Sequence, residues 1–313
     1  MGYMLHMKPS LINNRDWDAN KFFGTKSYPK TLDLRNNLPP IRDQGDQGSC
    51  AAQSAACMKE FQERLDNNIT EHFSPQFVYD NRYNNKSLGM TCRDVMDILS
   101  KKGCPLEKDY PYNYISNPAD IDLSIFEEAK KFKIKSYARV NSIEDLKKSV
   151  ANNGPCLISF PVYNYGDKIW RPKYKTQAMR GGHAMTIVGY DKDSFIIRNS
   201  WGIEWGDEGY TYYPYTDWGM HFDCWTTVDE KYKIPETIYD DSEIKTSSEE
   251  EKNLDVDEDK SDNYESSVDG YTSDYESSTD TSSKEDDEKL PDEKKNNKTI
   301  FDCIKAFLKI KQY

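Results

Sequence analysis

The sequence has no long apolar run, few histidines and no obvious cysteine pairing. Only 36% of its 313 residues are hydrophobic and the mean hydropathy is −0.91, which points to a part that cannot fold. Residues 1–7 contain no apolar core of signal-peptide length, and no segment is suited to crossing a bilayer. His6 stands where a myristoylation motif beginning at Gly2 needs Ser or Thr. The seven cysteines are an odd number, and Cys92 and Cys104 flank a predicted helix that holds them too far apart to bridge. These absences predict an intracellular, reducing location, the cytoplasm. The Asn-, Lys-, Ile- and Tyr-rich vocabulary suits an AT-rich genome; if the source is a large DNA virus, the virion becomes a second setting. The Asn-X-Ser/Thr triplets at Asn68, Asn85 and Asn297 are then chance matches. Cysteines and histidines also lack paired ligand spacing, so no metal and no other cofactor is expected.

Basic charge is missing from any one face. Residues 241–300 hold 21 Asp and Glu against 8 Lys and Arg, a balance of −13 in a chain of −12, so the rest is nearly neutral. No nucleic-acid partner is expected, because the body has no cationic surface and the tail would repel phosphates. The tail is low in complexity: Ser261-Asp262-Asn263-Tyr264-Glu265-Ser266-Ser267 nearly repeats as Ser273-Asp274-Tyr275-Glu276-Ser277-Ser278. Such a segment, residues 231–298, buries too little apolar surface to offset its ordering entropy and is predicted to be disordered. It could bind a basic partner. Beyond it, Ile300, Phe301, Ile304, Phe307, Leu308 and Ile310 recur at helical spacing, with lysines largely opposite. They predict a short amphipathic helix over residues 299–313, suited to docking on protein.

What is present centres on Cys50. It follows Gln44-Gly45-Asp46-Gln47-Gly48-Ser49, a glycine-rich turn leading into a helix with Ala52, Ala55, Met58, Phe61 and Leu65 as its buried stripe. Ser49 is placed to cap that helix. Cys50 would thus sit in the first turn, where unpaired N–H groups and the helix dipole favour a thiolate. Cys57 shares the helix but not its terminus, and is read as an inert core thiol. His183 follows Gly181-Gly182 and opens a strand; Asp191-Lys192-Asp193-Ser194 turns the chain, and a second strand returns to Asn199. This hairpin places His183 and Asn199 side by side. A thiol, an imidazole and an amide in this order fit a Cys/His/Asn hydrolase, with the thiol and ring as a thiolate–imidazolium pair. Gln44 adds an uncharged amide donor suited to an oxyanion hole shared with the Cys50 N–H. Trp201 is placed to shield the His183–Asn199 hydrogen bond. His6, His72 and His221 lack such settings and are read as surface histidines.

These motifs resemble the papain-like cysteine peptidases. The resemblance covers roughly residues 32–230. It is carried by Asp33-Leu34-Arg35, Pro39-Pro40-Ile41-Arg42-Asp43-Gln44-Gly45 and Gln47-Gly48-Ser49-Cys50. Phe73-Ser74-Pro75-Gln76-Phe77, Tyr110-Pro111-Tyr112, Gly154-Pro155 and Gly182-His183-Ala184 follow, then Asn199-Ser200-Trp201-Gly202 and Trp205-Gly206-Asp207-Glu208-Gly209-Tyr210. The resemblance implies an α+β fold: a mainly helical half carrying Cys50 and an antiparallel β-barrel half carrying His183 and Asn199, with a polypeptide substrate between them. Gly89 is similar to the family glycine whose backbone pairs with substrate. Met90, Thr91 and Ala184 match positions lining the pocket for the second residue before the cut. Gln47 stands where the family usually has a disulfide cysteine, and Ala51 replaces an aromatic residue, opening packing beside the cleft. Only residues 1–31 precede the domain, in place of the family's long inhibitory propeptide. The resemblance thus implies a monomeric cysteine-type endopeptidase. Two other readings stay open: an acyl- or amide-transferase on the same residues, and a relic scaffold acting through its acidic tail.

Overall fold

The longest helix is rich in alanine and long straight side chains, all good helix formers. In the computed structural model, which describes residues 3–84, 86–113, 120–228 and the backbone of 244–245, it follows a four-residue turn of helix, α1 (Asn20–Phe23), and becomes α2 (Cys50–Asn67). The predicted stripe of Ala52, Ala55, Met58 and Phe61 is buried, with Leu65 half-buried, but so is every other residue from Cys50 to Glu63. The four alanines let neighbours approach from all sides. Among the buried polar groups that result, Lys59 Nζ lies 2.7 Å from Glu63, and Gln62 Nε2 donates to Thr227 Oγ1 at 2.5 Å. Burial alone would push the Glu60 carboxyl up, but His72 and Arg42 hold it below the ordinary carboxylate range. Asn68 ends the helix in the left-handed conformation.

Further helices complete the helical wall. Helix α3 (Pro75–Asp80) starts as its sequence predicts, with Pro75 in the first turn and Ser74 Oγ accepting from the Phe77 N–H at 3.0 Å. Helix α4 (Cys92–Lys101) opens on a capping box between Thr91 and Asp94. Met58, Phe73, Val95, Met96 and Leu99 fill the space between these helices and α2. Helix α5 (Leu123–Lys130) contributes Ala129 to a small satellite cluster with Phe77 and Tyr110.

The other half is an antiparallel sheet. Its strands are β2 (Leu32–Asp33), β3 (Ser136–Arg139), β4 (Cys156–Val162), β5 (Gly181–Tyr190), β6 (Ser194–Arg198), β7 (Tyr210–Pro214) and β8 (Asp223–Val228). Their order is β3-β8-β4-β5-β6-β7, with β2 added to β5. Strands β4 and β6 are buried at every residue, which explains their continuous apolar runs; β7 alternates because one face meets solvent. Helix α6 (Ile143–Asn153) places Leu146 and Val150 in the core of this half, with Ile158, Ile187 and Trp170. The predicted hairpin is β5–β6, and Asp191 Oδ1 holds its turn by accepting from the Asp193 and Ser194 N–H groups.

Residues 15–33 are stitched to this body. Ala19 and Trp17 exchange backbone hydrogen bonds with Arg139, the Asp16 carboxylate pairs with Arg93 and Arg139, and Asn20 donates to Asp145 at 2.9 Å. A short strand, β1 (Tyr28–Pro29), pairs with β9 (Ile244–Lys245). The expected tail, residues 231–298, otherwise lies outside the described residues, as does the predicted helix over 299–313. Among the described residues no helix is long and apolar enough to cross a membrane.

Candidate active site

The turn before α2 is held from two directions. The Gln44 N–H donates to Ser200 O at 2.9 Å, and Ser200 Oγ donates to Gln44 Oε1 at 2.8 Å. From the other side, Tyr112 Oη donates to Gln44 O at 2.7 Å and lies 2.6 Å from Ser49 Oγ. Ser49 does occupy the cap position, but its hydroxyl makes no cap hydrogen bond, because the half-buried Tyr112 phenol has captured it. Gln44 Nε2 donates to Gln47 O at 2.9 Å, which engages one of its two amide hydrogens.

Strand β5 brings the second half of the site to the first. His183 Nε2 lies 2.6 Å from Asn199 Oδ1, which also accepts from the Ser200 N–H at 2.8 Å. An oxygen acceptor at Nε2 puts the imidazole hydrogen there and leaves Nδ1 as the basic nitrogen. Nδ1 makes no hydrogen bond among the described residues. The next residue, Ala184, directs its N–H at Cys50 Sγ, 3.4 Å away. Trp201 lies over the ring, with centroids 4.2 Å apart, and Trp205 meets Trp201 edge-on. The sequence-predicted Cys50, His183, Asn199, Gln44 and Trp201 are thus gathered at one place.

Burial in the covered cleft works against the expected thiolate–imidazolium pair. Burial pushes the Cys50 thiol up to about 11, against the opposing N–H groups of Ala184 and Ala51, and drives His183 down to about 4, against the Asn199 hydrogen bond. Desolvation thus penalises each charge in the covered cleft, opposing the helix terminus that favours the anion. Cys57, also pushed up by burial to about 11, is an enclosed core thiol as expected.

The cover that dries the site is the start of the chain. Residues 3–10 cross it as an extended strap. Gly182 N–H donates to Leu5 O at 3.3 Å, Met7 N–H to Gly182 O at 3.2 Å, and Lys8 N–H to Met90 O at 3.2 Å. His6 bridges Gly182 and Lys8 bridges Thr91, both in parallel. The strap approaches so closely that a Cβ at Gly89 would collide with the His6 carbonyl, and one at Gly182 with the Met7 carbonyl. Met7, 4% exposed, joins Met90 and Ala184 in one apolar cluster. Tyr3 stacks flat on Trp201 at 4.0 Å. At the far end, Ser10 N–H donates to the buried Asp223 carboxylate at 2.8 Å. After it, Leu11 and Ile12 are 86% and 89% exposed.

Other expectations divide. Thr91 meets the strap through its backbone, while its hydroxyl caps α4 by accepting from the Asp94 N–H. Ala51 is buried. Gln47 donates to Gln76 Oε1 at 3.1 Å, and the six described cysteines are all free and buried. Only His72 is an exposed histidine; it lies against Glu60. His6 belongs to the strap, and His221 is half-buried against Trp218, with Nδ1 3.0 Å from Tyr213 Oη. Sequence reasoning missed Tyr112, Ser200 and Gln53. The first two stand inside quoted motifs, which was the available signal; Gln53 had none beyond its position one helical turn after Cys50.

With the geometry in hand, comparison with known proteins is direct. The profile of the papain family cysteine proteases matches residues 28–224, well over half of the chain. Cysteine proteinase 3 of Entamoeba histolytica is 29% identical over 213 residues, spanning 61% of this chain and 65% of that protein. An uncharacterized peptidase C1-like protein of Acanthamoeba polyphaga mimivirus is 28% identical over 251 residues, 70% of this chain and 76% of the relative. Among solved structures, xylellain, a cysteine protease from Xylella fastidiosa, superposes with a TM-score of 0.60 at 26% identity, covering 72% of this chain and 96% of that one. The profile match runs through both the helical half and the sheet, and the chain belongs to the papain family of cysteine proteases.

Proposed function

We propose that the chain is a cysteine-type endopeptidase whose own residues 3–10 keep it latent. The observation that carries the reading is the His183–Asn199 hydrogen bond at 2.6 Å, which leaves Nδ1 as the basic nitrogen of the residue preceding Ala184, whose N–H meets the helix-terminal Cys50 Sγ. Cys50 attacks the peptide carbonyl as the thiolate, its proton held on His183 Nδ1. The oxyanion takes the free amide hydrogen of Gln44 and the Cys50 N–H. His183 returns the proton to the leaving amine, giving a thioester. Water then loses a proton to Nδ1, attacks the thioester and releases the acid and the thiol.

The strap's course supports latency. Met7 lies against Met90 and Ala184, read as the pocket for the second residue before the cut, while Tyr3 lies beyond His183 on Trp201. A substrate runs from that pocket towards Cys50 in the N-to-C direction; the strap runs the other way and is not presented for cleavage. Free buried thiols support a reducing compartment, cytoplasmic or within a virion. The chain acts as a monomer, and its acidic tail recruits basic partners.

The test compares the full chain with one lacking residues 1–10 on a denatured proteome, with Cys50→Ala as control. The shortened chain should cleave, the full chain slowly, and Cys50→Ala not at all. A folded, shortened chain without activity would refute the peptidase reading.

A further inference from the structure

A small polar cavity lies directly behind the His183–Asn199 pair. Arg42, Gln53, Thr186 and Asn199 are among the residues that wall it, and at about 10 Å³ it matches the room one water molecule needs. Several polar atoms at this place are buried without a protein hydrogen bond: Asn199 Nδ2, Arg42 Nε and both amide atoms of Gln53. Gln53 is 4% exposed and Asn199 3% exposed, so solvent outside the fold does not serve them. Native proteins do not leave such groups unpaired, because a buried amide without a partner forfeits its hydration.

The orphans are complementary through one water. Asn199 Nδ2 and Arg42 Nε can only donate, whereas Gln53 Oε1 can only accept. A water accepts two hydrogen bonds and donates two, which pairs these three atoms at once. Gln53 reaches the cavity because it lies three residues after Cys50 on α2, on the same helix face. We infer that Gln53 is a positioning residue that, through one buried water, holds the Asn199 amide with its oxygen towards His183.

The consequence rests on the peptidase reading above. An amide turned over would present Nδ2 to His183 Nε2, donor against donor. The ring hydrogen would move to Nδ1, and the free basic nitrogen would be lost. The Ser200 N–H already favours the observed orientation, so the water adds to an existing preference. Loss of Gln53 should therefore lower kcat about tenfold, the order of one hydrogen bond's net worth, and leave KM unchanged. Gln53 has one other neighbour to answer to: its amide approaches the Tyr112 hydroxyl without completing a hydrogen bond.

The test uses the full chain with ¹⁵N-labelled histidine. Wild type should show His183 as the Nε2–H tautomer, its hydrogen slow to exchange. Gln53→Met should speed that exchange and populate the Nδ1–H form, and Gln53→Glu, which keeps the acceptor, should restore the wild-type pattern. Unchanged exchange and tautomer in a folded Gln53→Met chain would overturn the inference, whether or not the protein hydrolyses peptides. A changed tautomer, with no cleavage by the folded wild-type chain lacking residues 1–10, would uphold it and refute the peptidase reading instead. Should Gln53→Met not fold, a high-resolution crystal structure of the wild type decides. A water bonded to Gln53 Oε1 and Asn199 Nδ2 is expected; a dry cavity with Gln53 bonded directly to Tyr112 is the opposite result.

Discussion

Replacing Met7 and Tyr3 by alanine should expose Cys50 without touching it. Burying a methionine side chain is worth about 2 kcal/mol and a flat aromatic stack about 1 kcal/mol. Against them stands the entropy of fixing the strap's backbone, so the covered state is only modestly favoured. Removing about 3 kcal/mol shifts an opening equilibrium roughly 150-fold. At pH 7 a thiol with a pKa of about 11 is ionised in about one molecule in 10⁴. An uncovered thiol near 8.5 is ionised in about 3%. Iodoacetamide reacts with thiolate, so its rate at Cys50, followed by mass spectrometry of the Cys50 peptide, reports opening. Met7→Ala should raise it by up to about 30-fold and the double variant by up to about 150-fold, the ceiling in each case being a fully open cleft. The sign of the pH effect follows from linkage. The covered thiol has the higher pKa, so coverage is undiminished below the uncovered pKa and weakens as pH rises from about 8.5 towards 11. Equal alkylation rates for wild type and both variants would mean that the strap does not dry the site.

Cys50→Ala should abolish peptide hydrolysis while Cys57→Ala leaves it, and an epoxide that labelled Cys57 instead would overturn the assignment. Gln44→Ala should lower kcat by about 10² with little change in KM, and steady-state kinetics read both. A chain ending at residue 245 should hydrolyse a short neutral peptide as the full chain does. It should lose preference for basic substrates only at low salt, since the tail's charge is screened over about 8 Å at physiological ionic strength; loss of neutral-peptide cleavage would make the tail part of the enzyme.

Much of the site could be read from the sequence because its parts are signalled locally. The glycine turn, the alanine-rich helix start at Cys50 and the β5–β6 hairpin joining His183 to Asn199 each follow from a few adjacent residues. Ser74-Pro75 announced α3 in the same way. The strap could not be read so, because residues 3–10 have no period of their own; their path is fixed by backbone groups of Gly182 and Met90, far along the chain. Ser49 shows the same limit. Its type fits a cap, yet a phenol 63 residues away takes the hydroxyl. Burial has the same limit: a helix terminus is visible in sequence, but full burial of Cys50 and His183, which opposes both charges, is a property of the assembled cleft. Gln53 was invisible because a glutamine on a helix reads as solvent-facing until all sides of α2 are seen to be buried.

The stitching of residues 15–33 to the body makes the strap a tethered competitor. A segment fixed at one end meets its own cleft at an effective concentration near the millimolar range, whatever the concentration of the protein. Substrate must compete against that fixed local supply. Leu11 and Ile12, exposed between the strap and its anchor, form the link on which the tether depends. On the latent reading, one cut there would turn an undilutable inhibitor into a separate peptide that dilution removes, with the anchored residues left in place. Latency would then be ended by severing a single bond.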